Sequence, residues 1–478
     1  MSNAPLWTVD AMAQAMGASR SAALPASISG ISIDSRSIGR GEAFFAIKGD
    51  ARDGHEFVAT ALANGAGLAV VAAEKRAAFP KDAPLLVVPD VLEGLRDLAG
   101  ASRERSKGTF IAVTGSVGKT GTKEALRLAL MPSGETHASV ASYNNHWGVP
   151  LSLARCPASA RFAVFELGMN HAGEIEPLSK LVAPHVAIVT TIAPVHLEYL
   201  GSIEAIADAK AEIFRGLAPG GAAVINRDIP QYRRLVRAAE DTGARMVSFG
   251  AHAKADARLI KSALHADCST VQARILGANV TYKLGAPGSH VVSNSLAVLA
   301  AASLAGADLA LAALALAGLT PPTGRGVRNE LELPGGRALL IDESYNATPA
   351  SMRAAIALLG QADVAGQGRR IAVLGDMLEL GPSGADLHRG LVEPVVAQGV
   401  DLVFCCGPLM HSLWEALPSE RRGAYAETSA ALEPQVLAAI RPGDAIMIKG
   451  SLGSRMGPIV KALENTYSRN ALAAPSRG

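Results

Sequence analysis

At 478 residues the chain is long enough for several domains of about 100–200 residues each, and 49% hydrophobic residues supply each with a core. A formal net charge of +2 without any Lys/Arg-rich run excludes a protein that tracks a nucleic-acid backbone. Cys156, Cys268, Cys405 and Cys406 show no CxxC spacing and read as reduced core thiols, and the N-terminus lacks the basic-then-apolar order of a secretory signal, so the cytoplasm is the expected compartment.

Residues 1–107 alternate short β-prone runs (ISGISID, EAFFAIKG, LAVVA, LLVVPD) with helical patterns, and the polar stretch from Arg103 to Gly108 sets the first boundary. Next comes TFIAVTGSVGKTGT at 109–122, the most informative stretch of the chain. A β-prone run feeds the turn Gly115-Ser116-Val117-Gly118, and Lys119-Thr120 opens a helical pattern that reaches Leu130. Such a turn aims backbone N–H groups at an anion, the helix N-terminus adds its positive dipole end, Lys119 can reach the outer phosphates of a nucleotide, and the Thr120 hydroxyl can ligate Mg²⁺. A general P-loop has a glycine where this chain has Val113, so the loop is the shorter GxxGKT form.

Through residues 108–319, runs of strand length (FIAV, FAVFEL, VAIVTTI, AAVIN) alternate with helix-like stretches, as in a parallel sheet covered on both faces. Glu166 ends one such run, where its carboxylate is either a hard-ion ligand beside the phosphate loop or a solvated strand end. His196 follows another run, and Lys210 lies on the helical stretch Ile203 to Phe214 among Glu204, Asp208 and Glu212, where composition alone makes it an exposed i,i+4 partner. Leu296 to Leu319 is apolar, but Gly306 and Asp308 interrupt it, which predicts two packed helices rather than a membrane span. Pro321-Pro322-Thr323-Gly324 breaks the pattern, and in 320–478 the alternation returns with ALLID, RIAVLG, LVFCCG and AIMIKG, a second doubly wound unit without a P-loop.

The fold expected is therefore α/β in three domains: a small α/β N-terminal domain, a central P-loop ATPase-like sheet and a Rossmann-like C-terminal domain. TGSVGKT, YNNHWGVP (143–150), FELGMNHAGEI (165–175), TTIAPVHLEYLGSIEAIADAKAEIF (190–214), GRGVR (324–328) and DESYNATPASM (342–352) occur in this order, and the ensemble resembles the Mur ligases of peptidoglycan synthesis. ELGMNHAGEI, DESYNATP and VLGDMLELG (373–381) are similar to the branch of that family that adds D-alanyl-D-alanine to UDP-N-acetylmuramoyl-tripeptide.

The resemblance implies an ATP-dependent amide ligase, monomeric, that passes through an acyl phosphate. By position it implies ATP contacts from Thr114, Gly115, Ser116, Val117, Gly118, Lys119, Thr120, Asn294, Arg325 and Asp342. Two Mg²⁺ ions would be held by Thr120, Glu166, His196 and a carbamylated Lys210, and catalysis would rest on Lys119, His196 and Lys210. Substrate contacts fall to Ser35, Arg36, Asp53, His55, Asn144, Asn145, Tyr345 and Asn346. On the residues alone, Asn294 is equally a helix cap, Arg325 a surface charge, Asp342 a strand-end turn and Asp34-Ser35-Arg36 a capping turn. His146-Trp147 stands where many relatives have Glu-Ile, and Ser116-Val117 where others have Thr-Asn. Another amide ligase of the superfamily, diaminopimelate-adding or folylpolyglutamate-forming, would share the P-loop set, whereas a nucleotide switch would bind ATP with no amine acceptor.

Overall fold

The computed structural model describes residues 5–21, 23–49, 52–140, 142–195, 197–265, 267–321 and 324–467. In the N-terminal domain, β1 (Trp7–Thr8) pairs antiparallel with β3 (Ser27–Ile28). A second sheet has the order β2-β7-β6-β5-β4, built from β2 (Ser19–Arg20), β4 (Ile31–Ser32), β5 (Ala43–Phe45), β6 (Leu68–Ala72) and β7 (Leu85–Val88). All of β6 is buried, which is why it reads as an uninterrupted apolar run rather than an alternating one.

The polar stretch at the first boundary is not a loose linker. The helix Val91–Arg105, capped by the Asp90 carboxylate on the Glu93 N–H (2.8 Å), runs through it. Arg103 donates to the carbonyls of Val182 (2.8 Å) and Ala183 (2.9 Å), and Arg105 donates to those of Leu6 and Cys156 (both 3.1 Å). The Arg105 guanidinium also lies 3.3 Å over the Trp7 ring, and the Trp7 indole N–H donates to the Ala154 carbonyl at 2.8 Å. These contacts seat the N-terminal domain firmly on the central one.

The central sheet has nine strands, β8 (Thr109–Thr114), β9 (Thr136–Ala138), β10 (Phe162–Glu166), β11 (Val186–Val189), β12 (Ala222–Asn226), β13 (Arg245–Gly250), β14 (Ala257–Leu264), β15 (Ser269–Ile275) and β16 (Ala278–Leu284), in the order β16-β15-β14-β13-β12-β11-β8-β10-β9. Pairing is parallel from β9 to β14, and β14, β15 and β16 continue it as an antiparallel meander. Apolar helices cover both faces of the parallel part. Leu296 to Leu319 contributes two of them, Ser289–Leu304 and Leu309–Ala315, which turn at Gly306 (φ +79°); the second is capped by Asp308. Among the described residues no helix is long and apolar enough to cross a membrane.

In the C-terminal domain, β17 (Val327–Leu333), β18 (Gly336–Glu343), β19 (Arg370–Gly375), β20 (Leu402–Cys406), β21 (Arg422–Ala426) and β22 (Ala445–Lys449) follow the order β17-β18-β22-β19-β20-β21, parallel except for the β17–β18 hairpin. The carboxyl ends of β8 and β10 and of β18 and β22 carry Thr114, Glu166, Glu343 and Lys449, so polar chemistry collects at the edge where doubly wound sheets bind ligands.

Candidate active site

The phosphate loop is shaped by two glycines. Gly115 (φ +145°) would bring a Cβ to 2.0 Å from the Thr190 hydroxyl, and Gly118 (φ +86°) would bring one to 2.5 Å from the Asn294 amide nitrogen. The helix Lys119–Leu130 starts directly after Gly118 with no side-chain cap, so its first N–H groups stay open toward an anion. Thr190, at the end of β11, clamps the loop from beneath by donating to the Val117 carbonyl at 2.6 Å, while Ser116 donates to the Ala193 carbonyl (3.0 Å) and accepts from the Ala193 N–H (2.9 Å). The Lys119 ammonium donates back to the Gly115 carbonyl at 2.8 Å. Burial pushes its pKa below the usual lysine value; Glu166 works against that shift, and the nearby charge of Arg325 adds to it.

We expect Gly118→Ala to lower ATP affinity at least about tenfold in titration calorimetry, because the left-handed backbone costs any residue with a Cβ about 1–3 kcal/mol here and Asn294 leaves it no room. An affinity equal to that of the parent chain would show that the cradle is not the phosphate site.

Glu166 is almost fully buried, so it is not a solvated strand end. Both of its oxygens are engaged: Thr120 donates its hydroxyl to one at 2.8 Å, and the Asn144 amide donates to the other at 2.7 Å. Ser142, which the sequence did not single out, approaches the Thr120 hydroxyl at 3.3 Å. Asn145 also braces the local fold, its side-chain oxygen accepting the Gly148 N–H (2.9 Å) at the start of the helix Gly148–Ala154. Trp147 packs edge-on against Tyr143 with ring centroids 5.3 Å apart, so this departure from the family pattern stiffens the turn that carries the asparagines.

Lys210 overturns its composition-based reading as an exposed helix partner. The side chain is 1% exposed, and among the described residues its ammonium has neither a hydrogen-bond acceptor nor an ion-pair partner. The neighbouring carboxylates face elsewhere: Glu212 accepts the N–H groups of Gly173 (2.7 Å), Ile175 (3.1 Å) and Glu176 (3.2 Å), and Asp208 pairs with Arg234. Burial drives the Lys210 pKa well below the lysine range, and the Lys119 charge pushes the same way against Glu212. His196 lies outside the described residues. Among the described residues no group of three or more His, Cys, Asp or Glu could hold a metal ion.

From the C-terminal domain, Arg325 reaches toward the loop with its guanidinium 4.6 Å over the Tyr345 ring. Asp342 is buried and accepts both the N–H (3.0 Å) and the hydroxyl (2.6 Å) of Ser344, a strand-end turn. Lys449, also missed in the sequence, is 2% exposed and holds that turn by donating to Glu343 (3.1 Å) and to the Asn346 carbonyl (2.9 Å). Asn294 is no helix cap: it sits a turn and a half into the helix Ser289–Leu304, whose cap position is Gly288, and its amide lies against Gly118.

The N-terminal residues stand apart from this cluster. Arg36 folds back on Asp34 with two side-chain hydrogen bonds (2.9 and 2.7 Å), which hold the Asp34 carboxyl down at about 2. Ser35 is buried, its carbonyl accepting from Asn64 at 2.8 Å. Asp53 accepts the backbone N–H (3.0 Å) of His55 and contacts its Nδ1 (2.6 Å), and His55 Nε2 accepts the Ala72 N–H (2.9 Å). Both His55 nitrogens are thus committed to fixing this loop, which fixes Nδ1–H as the donor to Asp53.

Three family signatures fall on the chain in sequence: the Mur ligase family catalytic domain on residues 27–101, the Mur ligase middle domain on 113–302, and the Mur ligase glutamate ligase domain on 331–452. UDP-N-acetylmuramoyl-tripeptide--D-alanyl-D-alanine ligase of Escherichia coli (strain K12) is 33% identical over 438 residues, which cover 91% of this chain and 93% of that protein. The chain belongs to the Mur ligase family. Among solved structures, a MurF crystal structure from Acinetobacter baumannii overlays with a TM-score of 0.82 at 31% identity, covering 96% of this chain and 99% of that one. The MurF ligase of Thermotoga maritima in complex with ADP overlays with 0.74 at 25% identity, covering 91% and 97%. As a Mur ligase the chain is an ATP-dependent amide ligase, and the open cradle of Gly115 and Gly118 fits that nucleotide.

Proposed function

We propose that this Mur ligase joins D-alanyl-D-alanine to UDP-N-acetylmuramoyl-tripeptide to give the UDP-linked pentapeptide of peptidoglycan synthesis, acting in the cytoplasm as a monomer. Relatives that carry this activity in their names match over nine-tenths of the chain. The single observation that carries the chemistry is the meeting of Thr120 and Asn144 on the two oxygens of Glu166, beside a lysine held on the phosphate loop.

In this reading the N-terminal domain, through Ser35, Arg36 and the loop fixed by Asp53 and His55, grips the UDP part, a diphosphate suited to a planar guanidinium. Asn144, Asn145, Tyr345 and Asn346 line the path of the peptide. The N–H groups of residues 117–120 and the Lys119 ammonium hold the ATP phosphates and stabilise charge as the tripeptide carboxylate attacks the γ-phosphorus and ADP leaves, while the Ser116 N–H is spent on the Thr191 carbonyl (2.8 Å). The amine of D-alanyl-D-alanine then attacks the acyl phosphate, and the tetrahedral intermediate expels phosphate. Arg325 reaches the nucleotide from the C-terminal domain, Asp342 is turned toward the ribose and Asn294 backs the loop.

Thr120 fits the first Mg²⁺, and Glu166, together with His196 and with Lys210 as a carbamate, fits the second. The fit rests on the chemistry of the donors: a hydroxyl and a carboxylate already in contact, and a buried amine with no partner among the described residues. When bound, the ions supply positive charge at the transferring phosphoryl group. Most of the remaining work is positioning.

Phosphate release by purified protein, measured with UDP-N-acetylmuramoyl-tripeptide with and without D-alanyl-D-alanine, tests the assignment. We expect release to need both substrates, with a UDP-pentapeptide identified by mass. Release indifferent to both would leave a nucleotide switch.

A further inference from the structure

At the carboxyl ends of β8, β10 and β11 the chain leaves the central sheet in two directions. The P-loop follows β8 and runs into the helix Lys119–Leu130, which packs on one face through Ala125, Leu126 and Ala129. The strands on either side, β10 and β11, send their chains to the other face, where Ile175 and Leu178, then Ile206 and Ala207, are buried. A doubly wound sheet opens a crevice at its carboxyl edge where neighbouring connections part in this way. The phosphate loop is one wall of that crevice, and the loops after β10 and β11 are the other.

Those two loops meet although β8 stands between their strands. His171, from the loop after β10, and Tyr199, from the helix Leu197–Leu200 after β11, approach with ring centroids 4.9 Å apart at an interplanar angle of 52°. The pair also stands at the seam with the C-terminal domain: a Cβ on Gly381 of that domain would lie 3.5 Å from the Cα of Glu198, the residue before Tyr199. This wall is therefore where an acceptor carried by the C-terminal domain meets the group activated on the phosphate loop.

His171 has the donor pattern of a base. Its Nδ1 lies 3.1 Å from one Glu174 oxygen, and the other accepts the Asn170 N–H at 2.8 Å. Burial works to raise the Glu174 carboxyl, and its hydrogen bonds with Asn170 and His171 outweigh that and hold it ionised. A carboxylate on Nδ1 fixes the ring proton there and leaves the lone pair on Nε2. Among the described residues Nε2 has no partner, Glu174 and Tyr199 are the titratable groups paired with the ring, and 60% of the side chain is exposed.

We propose that His171 is the general base of the second half-reaction, taking through Nε2 the proton that the amine sheds as it attacks the acyl phosphate, with Glu174 and Tyr199 as positioning residues. As the N–C bond forms, the carbonyl π pair moves to oxygen and the nitrogen becomes cationic. Its proton passes to Nε2, the oxygen pair re-forms C=O, and the C–O bond to phosphate breaks. The imidazolium then returns its proton to water. Attack of the tripeptide carboxylate on ATP needs no such base, because a carboxylate has no proton to lose. This rests on the ligase reading above.

The test is His171→Ala in the full-length enzyme, with ligation of D-alanyl-D-alanine and hydroxamate formation from hydroxylamine measured side by side on UDP-N-acetylmuramoyl-tripeptide and ATP. Hydroxylamine is unprotonated at neutral pH, and its adduct is acidic enough to lose a proton to water. Ligation should fall about 10²-fold or more in kcat, the usual share of a general base, with KM for ATP and for the sugar nucleotide little changed. Hydroxamate should form at the parental rate, and added imidazole should restore part of the ligation through the exposed gap left by the substitution. Parental ligation in the variant, or a fall that hydroxylamine shares or imidazole leaves untouched, overturns the base and leaves the ligase standing. No tripeptide-dependent product from the parent enzyme with either amine overturns the ligase reading itself.

Discussion

Lys119→Met is expected to reduce ligation by at least about 10²–10³-fold in kcat, with circular dichroism and thermal midpoint close to those of the parent chain. Methionine keeps an unbranched apolar stem in a half-buried site, so packing survives. What is lost is a positive charge aimed at phosphoryl oxygens that gain charge only as the carboxylate attacks, and such preorganised charge acts mainly on the transition state. The ammonium now donates to the Gly115 carbonyl, inside the very loop that cradles the phosphates, so no movement of domains is needed to deliver it. Its pKa is depressed below 10.5, so the proton departs on the alkaline side earlier than for a free lysine. The parent enzyme should therefore show an alkaline limb in kcat/KM for ATP, which reports the free enzyme, below that pH. A fully active Lys119→Met enzyme would remove the loop from the chemistry.

Sequence patterning reached the elements whose two faces are both covered. The helical pattern from Lys119 to Leu130 coincides with the helix, and FAVF-E ends where β10 ends, because a buried strand is an unbroken apolar run and a glycine-bounded loop announces the helix. The meander β14–β16 was invisible to the same reading. In STVQARI every second residue meets water, so the strand shows as an alternation around Val271, Ala273 and Ile275, which a search for unbroken apolar runs passes over. β17 and β21 escaped for the same reason, being half-exposed edge strands of the C-terminal sheet.

At the site, residue types were legible and orientation was not. Lys210 has Glu212 two positions away and Asp208 two positions before it, which by spacing alone looks like a charged surface. In the fold, Glu212 turns to the N-terminus of the helix Ile175–Val182 and Asp208 to Arg234, and the lysine is left facing inward. Lys449 and Ser142 carried no motif at all, since their role is to hold the loops that bear Asn346 and Thr120.

In metal-free protein stripped of carbon dioxide, Lys210→Met should raise the thermal midpoint even as it abolishes ligation. Taking an amine out of water costs about 1–3 kcal/mol, and each kcal/mol recovered moves the midpoint by about 2–4 °C in a domain of this size. The sign with pH follows from the depressed folded-state pKa. Between that value and 10.5 the unfolded chain binds a proton at this residue that the folded chain does not, so the Lys210 contribution to stability grows as pH rises and fades as pH falls. The midpoint advantage of Lys210→Met should therefore be full below the depressed folded-state value and shrink as pH rises toward 10.5; an advantage independent of pH, or a loss, would mean that the amine is charged and paired in the fold. The burial that destabilises the chain also keeps the amine neutral, and only a neutral amine has the lone pair that attacks carbon dioxide. Restoring bicarbonate should accordingly place a carbon dioxide adduct on the parent chain in native mass spectrometry and none on Lys210→Met, turning a buried amine into an oxygen ligand suited to a second Mg²⁺.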